Sequence, residues 1–308
     1  MNLEKYFIEE SGPWYVVPLS DLRAKQHTVG SKGVWLSRLA VTGLPIPTGF
    51  HITTAAYRRY VIENRLQPVI EKALEGVDPH HPATLEAAAQ SIREAFIRGR
   101  IPEEVSVAVS LAYANLPGGF PAVAVRSSAT AENLPGSLLA GQQSAYLNVS
   151  TITALFEAVK RCWASLWTAQ AIAYRLQYQA ETKSLAMAVV VQVLVPAQAS
   201  GVMFTAHPIT GAGDLAVIKA SWGLGEAVVG RLVTPDIYTI DKNSGRILER
   251  QVSEKRVWAV RVSQGTEVQP TPRHLRNKPV LDEAGAARLI HQMGMQVEQM
   301  FNRPVEIE

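Results

Sequence analysis

Apolar and polar positions change period several times along this chain. From Ala122 it runs AVAVRSSAT, where Val123 and Val125 alternate with small residues as in a half-buried strand, and Arg126 stands where that strand should emerge. VGSKGVWLSRLAVTG has another period: Val34, Trp35, Leu36, Leu39 and Ala40 suit a helix that buries one side, and Gly43 is placed for a C-terminal cap. Pro45 and Pro47 then impose an extended path into a strand at residues 50–53, after which Thr53 or Thr54 caps a helix reaching Asn64.

The middle of the chain reads as helical over residues 84–98 and 102–116, with Pro102 suited to a first turn and LPGGFP as the stop. A long amphipathic helix or helix pair follows over 153–179, and Leu155, Val159, Cys162, Trp163, Leu166 and Trp167 recur on the face expected to form core. From Ser184 the texture turns to β. LAMAVVVQVLV has buried-strand character, SGVMFT and LAVIKAS read as further strands, and DIYTIDKNSGRILERQV as a hairpin turning at Asn243, Ser244 and Gly245. A last helix is expected over 282–302, followed by a strand in PVEIE. This pattern predicts an α+β chain of two lobes, residues 1–185 and 186–308.

Composition narrows the class without naming a partner. The 308 residues are 47% hydrophobic and 19% charged, with 30 basic against 27 acidic side chains and a net charge of +3, as in ordinary globular proteins. Basic residues are scattered, so no nucleic-acid stripe is expected. Cys162 is the single cysteine, which excludes an intrachain disulfide and fits a reducing compartment. No apolar run approaches a membrane span, and the N-terminus mixes acids into its first ten residues, so a cytoplasmic protein without a secretory leader is expected.

Five constellations could carry chemistry. Gly30-Ser31-Lys32-Gly33 opens a helix, where unpaired N–H groups and the helix dipole receive phosphate and a lysine adds charge; it lacks P-loop spacing, and a purely structural glycine turn fits as well. Arg126 offers a planar fork, Ser127, Ser128 and Thr130 offer hydroxyls, and Pro135-Gly136-Ser137 through Gly141-Gln142 can fold as a flap or stand as a surface loop. Gln192 interrupts an apolar run, so its amide must find core partners or face a ligand. GLGE presents Glu226 on a tight glycine turn or a helix start. Glu306 and Glu308, two apart in a strand, project to one face, where magnesium with phosphate oxygens or plain solvent would accommodate them. Cations for a triphosphate, a reader for adenine and acids for magnesium together point to an ATP pocket between two lobes.

With VGSKGVWLSRL, GLPIPTGFHIT, AVRSSATAENLPGSLLAGQ, CWASLWTAQAIAYR, VVVQVLV, SGVMFTAHPITG, GLGEAVVG, TPDIY and PVEIE in this order, the chain resembles the N-terminal ATP-grasp-like domain of the phosphoenolpyruvate synthase and pyruvate phosphate dikinase family, which includes rifamycin phosphotransferases. The resemblance implies a two-lobed ATP-grasp-like fold with mixed sheets and helices. It implies that Lys32 and Arg126 hold the triphosphate of ATP and that the loop with Gly136, Ser137, Gly141 and Gln142 closes over it. Gln192 with the backbone near Leu194 would address adenine, Glu226 would line the nucleotide site, and Glu306 and Glu308 would bind Mg2+.

A phosphoryl group would pass to a histidine on a separate swivelling domain and then to an acceptor, such as pyruvate. Both of those domains are expected to be absent from this chain, which stops short of the family's next strand, so the chain alone should at best bind nucleotide. The family often has an acid where Asn133 stands, serine and phenylalanine in place of Leu138 and Leu139, and aspartate in place of Glu306, which leaves the metal geometry open. The expected function is the ATP-binding domain of a pyruvate, water dikinase. The alternatives are the same domain of a rifamycin phosphotransferase, or a nucleotide-binding module without catalysis.

Overall fold

The computed structural model describes residues 14–130, 145–178 and 185–308. The chain divides into two compact units, residues 1–194 and 195–308. Both are α+β, with antiparallel sheets flanked by helices.

In the first unit, β1 (Val16–Pro18), β2 (Gly49–Ile52), β3 (Val123–Ala129), β4 (Ala145–Val149) and β5 (Met187–Val193) form one sheet in the order β1-β2-β5-β3-β4. The continuous apolar run of β5 is thus explained: it is the central strand and both its faces are covered. One face, carrying Phe50, Ile52, Val123, Val125, Val189 and Val191, belongs to a core built with Tyr57 and Tyr60 of α2 (Thr54–Glu63), Leu155 and Trp163 of α6 (Ile152–Ala164), and Phe96 of α4 (Pro82–Arg98). Between α2 and α4 lies α3 (Leu66–Leu74), and α5 (Glu103–Ala114) leads to β3. The residues expected on the 153–179 face, Leu155 to Trp167, are all buried in this core. That helix is broken into α6, a 3₁₀ turn at Ser165–Trp167, and α7 (Ala169–Gln177), because Thr168 is extended and caps α7 through Ala171 N–H at 3.2 Å.

The opposite sheet face receives α1 (Gln26–Ala40). The buried face of α1 differs from the expected one: Val34, Trp35, Leu36, Leu39 and Ala40 are only partly covered, while Val29, Gly30, Ser31, Gly33 and Ser37 are buried. The cause is close approach. Small residues at 33 and 37 let the helix settle on β2, where Ser37 Oγ meets His51 Nε2 at 2.9 Å and a Cβ on Gly33 would lie 3.3 Å from the His51 ring.

His51 is fully buried, and burial pulls its pKa from 6.5 down to about 4. An unfolded chain would protonate this histidine near pH 6.5, whereas the folded one resists until about pH 4, so its neutral form stabilises the fold fully above that window. Stability is expected to fall as the pH drops from 6.5 towards 4, by roughly 3 kcal/mol from this group. Urea unfolding across that range checks it: the wild type should lose more stability than His51→Gln, and parallel curves would refute the assignment.

In the second unit the sheet order is β12-β6-β7-β8-β9, from β6 (Ala199–Phe204), β7 (Leu215–Trp222), β8 (Asp236–Asp241), β9 (Ile247–Gln251) and β12 (Glu306–Ile307). Between β7 and β8 sits the short α8 (Glu226–Val229). After β9 a separate hairpin, β10 (Val257–Arg261) with β11 (Thr266–Pro270), precedes α9 (Arg273–Arg276). The expected helix over 282–302 consists of α10 (Glu283–Leu289), a π-helical stretch at Ile290–Gly294, and α11 (Met295–Phe301). Ala286 and Ile290 pack on the sheet face that carries Met203, Ile218, Tyr238 and Ile240. Among the described residues no helix is long and apolar enough to cross a membrane.

Candidate functional site

The first unit gathers three of the expected residues on the α1 side of its sheet. Strand register sets Ala124 opposite Gln192, Arg126 opposite Val190 and Ser128 opposite Ala188. Residues directly opposite share a face, so Arg126, Ser128 and Gln192 lie on one side, with Arg126 one two-residue step from Ser128 and one from Ala124, the partner of Gln192. Ser128 identifies that side, because its Oγ accepts from Gly33 N–H of α1 at 3.0 Å. Lys32, adjacent to Gly33 and partly buried, is therefore at the helix entrance that rests on the strand of Arg126.

That entrance is formed by a kink. Gly30 has φ 72° and ψ 174°, so α1 makes one turn from Gln26, breaks, and restarts at Ser31. The restart places first-turn N–H groups and their dipole beside Lys32, which is the arrangement that favours phosphate.

Gln192 is buried, and its Nε2 donates to the Pro47 carbonyl at 3.2 Å, tying the central strand to the proline segment before β2. Leu194 follows β5, and its N–H donates to the Ala122 carbonyl at 2.9 Å. Gly136, Ser137, Gly141 and Gln142, together with Asn133, Leu138 and Leu139, lie outside the described residues.

The second unit holds the acidic candidates. Glu226 is the first residue of α8 and partly buried. The glycine turn before it is pinned on both sides: Ser200 Oγ donates to the Gly223 carbonyl at 2.8 Å, and Leu224 N–H to the Ala259 carbonyl at 2.8 Å. Gly223 has φ 84°, and a Cβ there would lie 2.4 Å from the Ala259 oxygen, so only glycine fits.

Glu306 opposes Phe204 and Ile307 opposes Met203. Ile307 packs on the apolar core, which leaves Glu306 on the other face and, by alternation, Glu308 with it; both are exposed. Two carboxylates fit magnesium, which takes one or two together with phosphate oxygens and water. Among the described residues no group of three or more His, Cys, Asp or Glu side chains gathers as a fuller metal cage.

Register also exposes a residue that sequence reasoning missed. Phe204 opposes Val217 and Val202 opposes Lys219, so Lys219 shares the face of Glu306, with its ammonium 5.5 Å from the Phe204 ring centroid. Its signal was available: Lys219 interrupts LAVIKAS as Gln192 interrupts VVVQVLV.

Residues 26–308 match the family described as "Pyruvate phosphate dikinase, AMP/ATP-binding domain". A probable phosphoenolpyruvate synthase of Methanothermobacter thermautotrophicus is 39% identical over 91% of this chain and 41% of its own length. The phosphoenolpyruvate synthase of Aeropyrum pernix is 44% identical over 74% of this chain and 28% of its own. A rifampicin phosphotransferase of Streptomyces sviceus is 37% identical over 96% of this chain and 34% of its own. The chain thus spans well under half the length of these relatives.

Proposed function

Because this chain belongs to the pyruvate phosphate dikinase AMP/ATP-binding domain family, we propose that it is the Mg-ATP-binding domain of a pyruvate, water dikinase. The observation that supports this reading is the packing of the helix entrance that carries Lys32, through Gly33 and Ser128, on the strand of Arg126, within a chain whose phosphoenolpyruvate synthase relatives reach 44% identity.

Lys32 and Arg126 hold the triphosphate, the first as a mobile point charge and the second as a planar fork. The role expected of Gly136, Ser137, Gly141 and Gln142 at the phosphates falls outside the described residues. Gln192, its amide anchored by the Pro47 carbonyl, and the backbone at Leu194 stand on the adenine side. Glu226 lines the nucleotide site. Glu306 and Glu308 would hold magnesium, which when bound would supply positive charge for phosphate oxygens. Phosphoryl transfer needs little covalent help from the protein beyond charge neutralisation and alignment, which is what these residue types supply. The acceptor is a histidine of a swivelling domain that then meets a pyruvate-binding domain, and the reaction takes place in the cytoplasm. A second reading, the same domain of a rifamycin phosphotransferase, is favoured by the 37% identical relative and differs only in the final acceptor.

Calorimetric titration of Mg-ATP into the chain tests the assignment. Lys32→Ala and Arg126→Ala are each expected to weaken binding by about ten-fold or more, the usual worth of a charge-assisted hydrogen bond, with little change in unfolding temperature. Unchanged affinity in both variants would sink the phosphate site as placed.

A further inference from the structure

Ser128 joins the two sides of the Gly30 kink. Its Oγ donates to the Val29 carbonyl at 2.7 Å and accepts from Gly33 N–H at 3.0 Å, so one hydroxyl closes the turn before the break and caps the turn after it. Ser128 is fully buried, where no bulk water can replace these bonds. A second tie lies beside it: Gln26 Nε2 donates to Ser31 Oγ at 3.2 Å and to the Thr130 carbonyl at 3.1 Å. Lys32 sits between Gly33, bonded to Ser128 of β3, and Ser31, which is tied through Gln26 to Thr130 just after β3, and Arg126 is two residues before Ser128 on the same face of that strand.

We propose that Ser128 is a positioning residue for ligand phosphate: its hydroxyl fixes the restarted helix, and with it Lys32, in register with Arg126. This rests on the reading of Lys32 and Arg126 as triphosphate ligands. A cap made by a residue 95 positions away is a tertiary clamp. Removing it frees the helix entrance while leaving the ladder between β3 and β5 in place.

The test combines amide hydrogen exchange with Mg-ATP calorimetry on the whole chain, using Ser128→Ala, Lys32→Ala and the double variant. In Ser128→Ala the Gly33 amide should exchange at least about ten-fold faster with Val191 of β5 unchanged, and Mg-ATP affinity should fall about ten-fold. In the Lys32→Ala background Ser128→Ala should change affinity by less than about two-fold, because its effect runs through Lys32. Unchanged Gly33 exchange would overturn the clamp whatever ATP does, and a full additional loss in the double variant would overturn its action through Lys32. Unchanged affinity in Lys32→Ala, with fast Gly33 exchange in Ser128→Ala, would instead overturn the phosphate reading. Should Ser128→Ala fail to fold, Gln26→Ala at the exposed tie should speed Ser31 and Gly33 exchange and weaken Mg-ATP in the same sense, and no change in either would refute the proposal.

Discussion

Gly30→Ala is expected to destabilise the first unit by more than about 3 kcal/mol and to abolish measurable Mg-ATP binding. Two separate costs add. At φ 72° and ψ 174° the backbone occupies a region essentially reserved for glycine, worth about 1–3 kcal/mol for any other residue. The new Cβ would also lie 2.2 Å from the Ser128 carbonyl oxygen and 2.3 Å from its Oγ. The carbonyl belongs to a strand held in the sheet, so the helix must move instead, breaking the Ser128 contacts to Val29 and Gly33. Gly43→Ala is the control, because Gly43 also has a positive φ, 80°, but nothing within 4 Å of an added Cβ. Chemical denaturation of both variants decides the matter: equal losses would mean that backbone strain alone acts and that the close approach at Ser128 is unimportant.

The kink also shows which parts of the fold could be read from sequence. The hairpin at Asn243 to Gly245 was legible because its signals are local, and Gly245 indeed takes φ 70° between β8 and β9. The core face of residues 155–167 was legible because large apolar side chains recur at helical spacing. The buried face of α1 was not, since Gly33 and Ser37 carry no hydropathy signal although they set how near the helix approaches. The β10–β11 hairpin was missed because Glu267, Val268 and Pro270 are exposed and show no buried alternation.

The site divides in the same way. Lys32 announces itself as a charge at a helix entrance. The expectation that Arg126 stands where its strand emerges is corrected: Arg126 lies mid-strand in β3, paired with Ala145 on one side and Val190 on the other, because β3 continues through the hydroxyl residues to Ala129. Gln192 was read as needing either core partners or a ligand, and its contact with Pro47, 145 residues away in sequence, could only come from the fold. Ser128 looked like one hydroxyl among three, and only the register of β3 under α1 distinguishes it. Long-range hydrogen bonds carry no sequence period.

The largest loss in the second unit is expected from Asp236→Ala, about 3–5 kcal/mol, the cost of leaving a buried charge without its partner. Asp236 and Lys255 are both fully buried, with Lys255 Nζ 2.6 Å from Asp236 Oδ1. Lys255 Nζ also donates to the Ser253 carbonyl at 2.9 Å. Asp236 accepts from Ser253 N–H and Val280 N–H at 2.9 Å each and from Tyr238 OH at 3.1 Å. One carboxylate therefore fastens β8 to the segment after β9 and to the segment entering α10. Lys255→Met should cost less, because Asp236 keeps three donors while the buried cation disappears with its partner bond. The double variant Asp236→Asn with Lys255→Met should then recover part of the loss of Asp236→Ala, since it leaves neither charge buried alone. Urea unfolding of the three variants gives the comparison. A loss below about 1 kcal/mol for Asp236→Ala would place this pair with ordinary surface bridges and remove it as the tie that holds the second unit together.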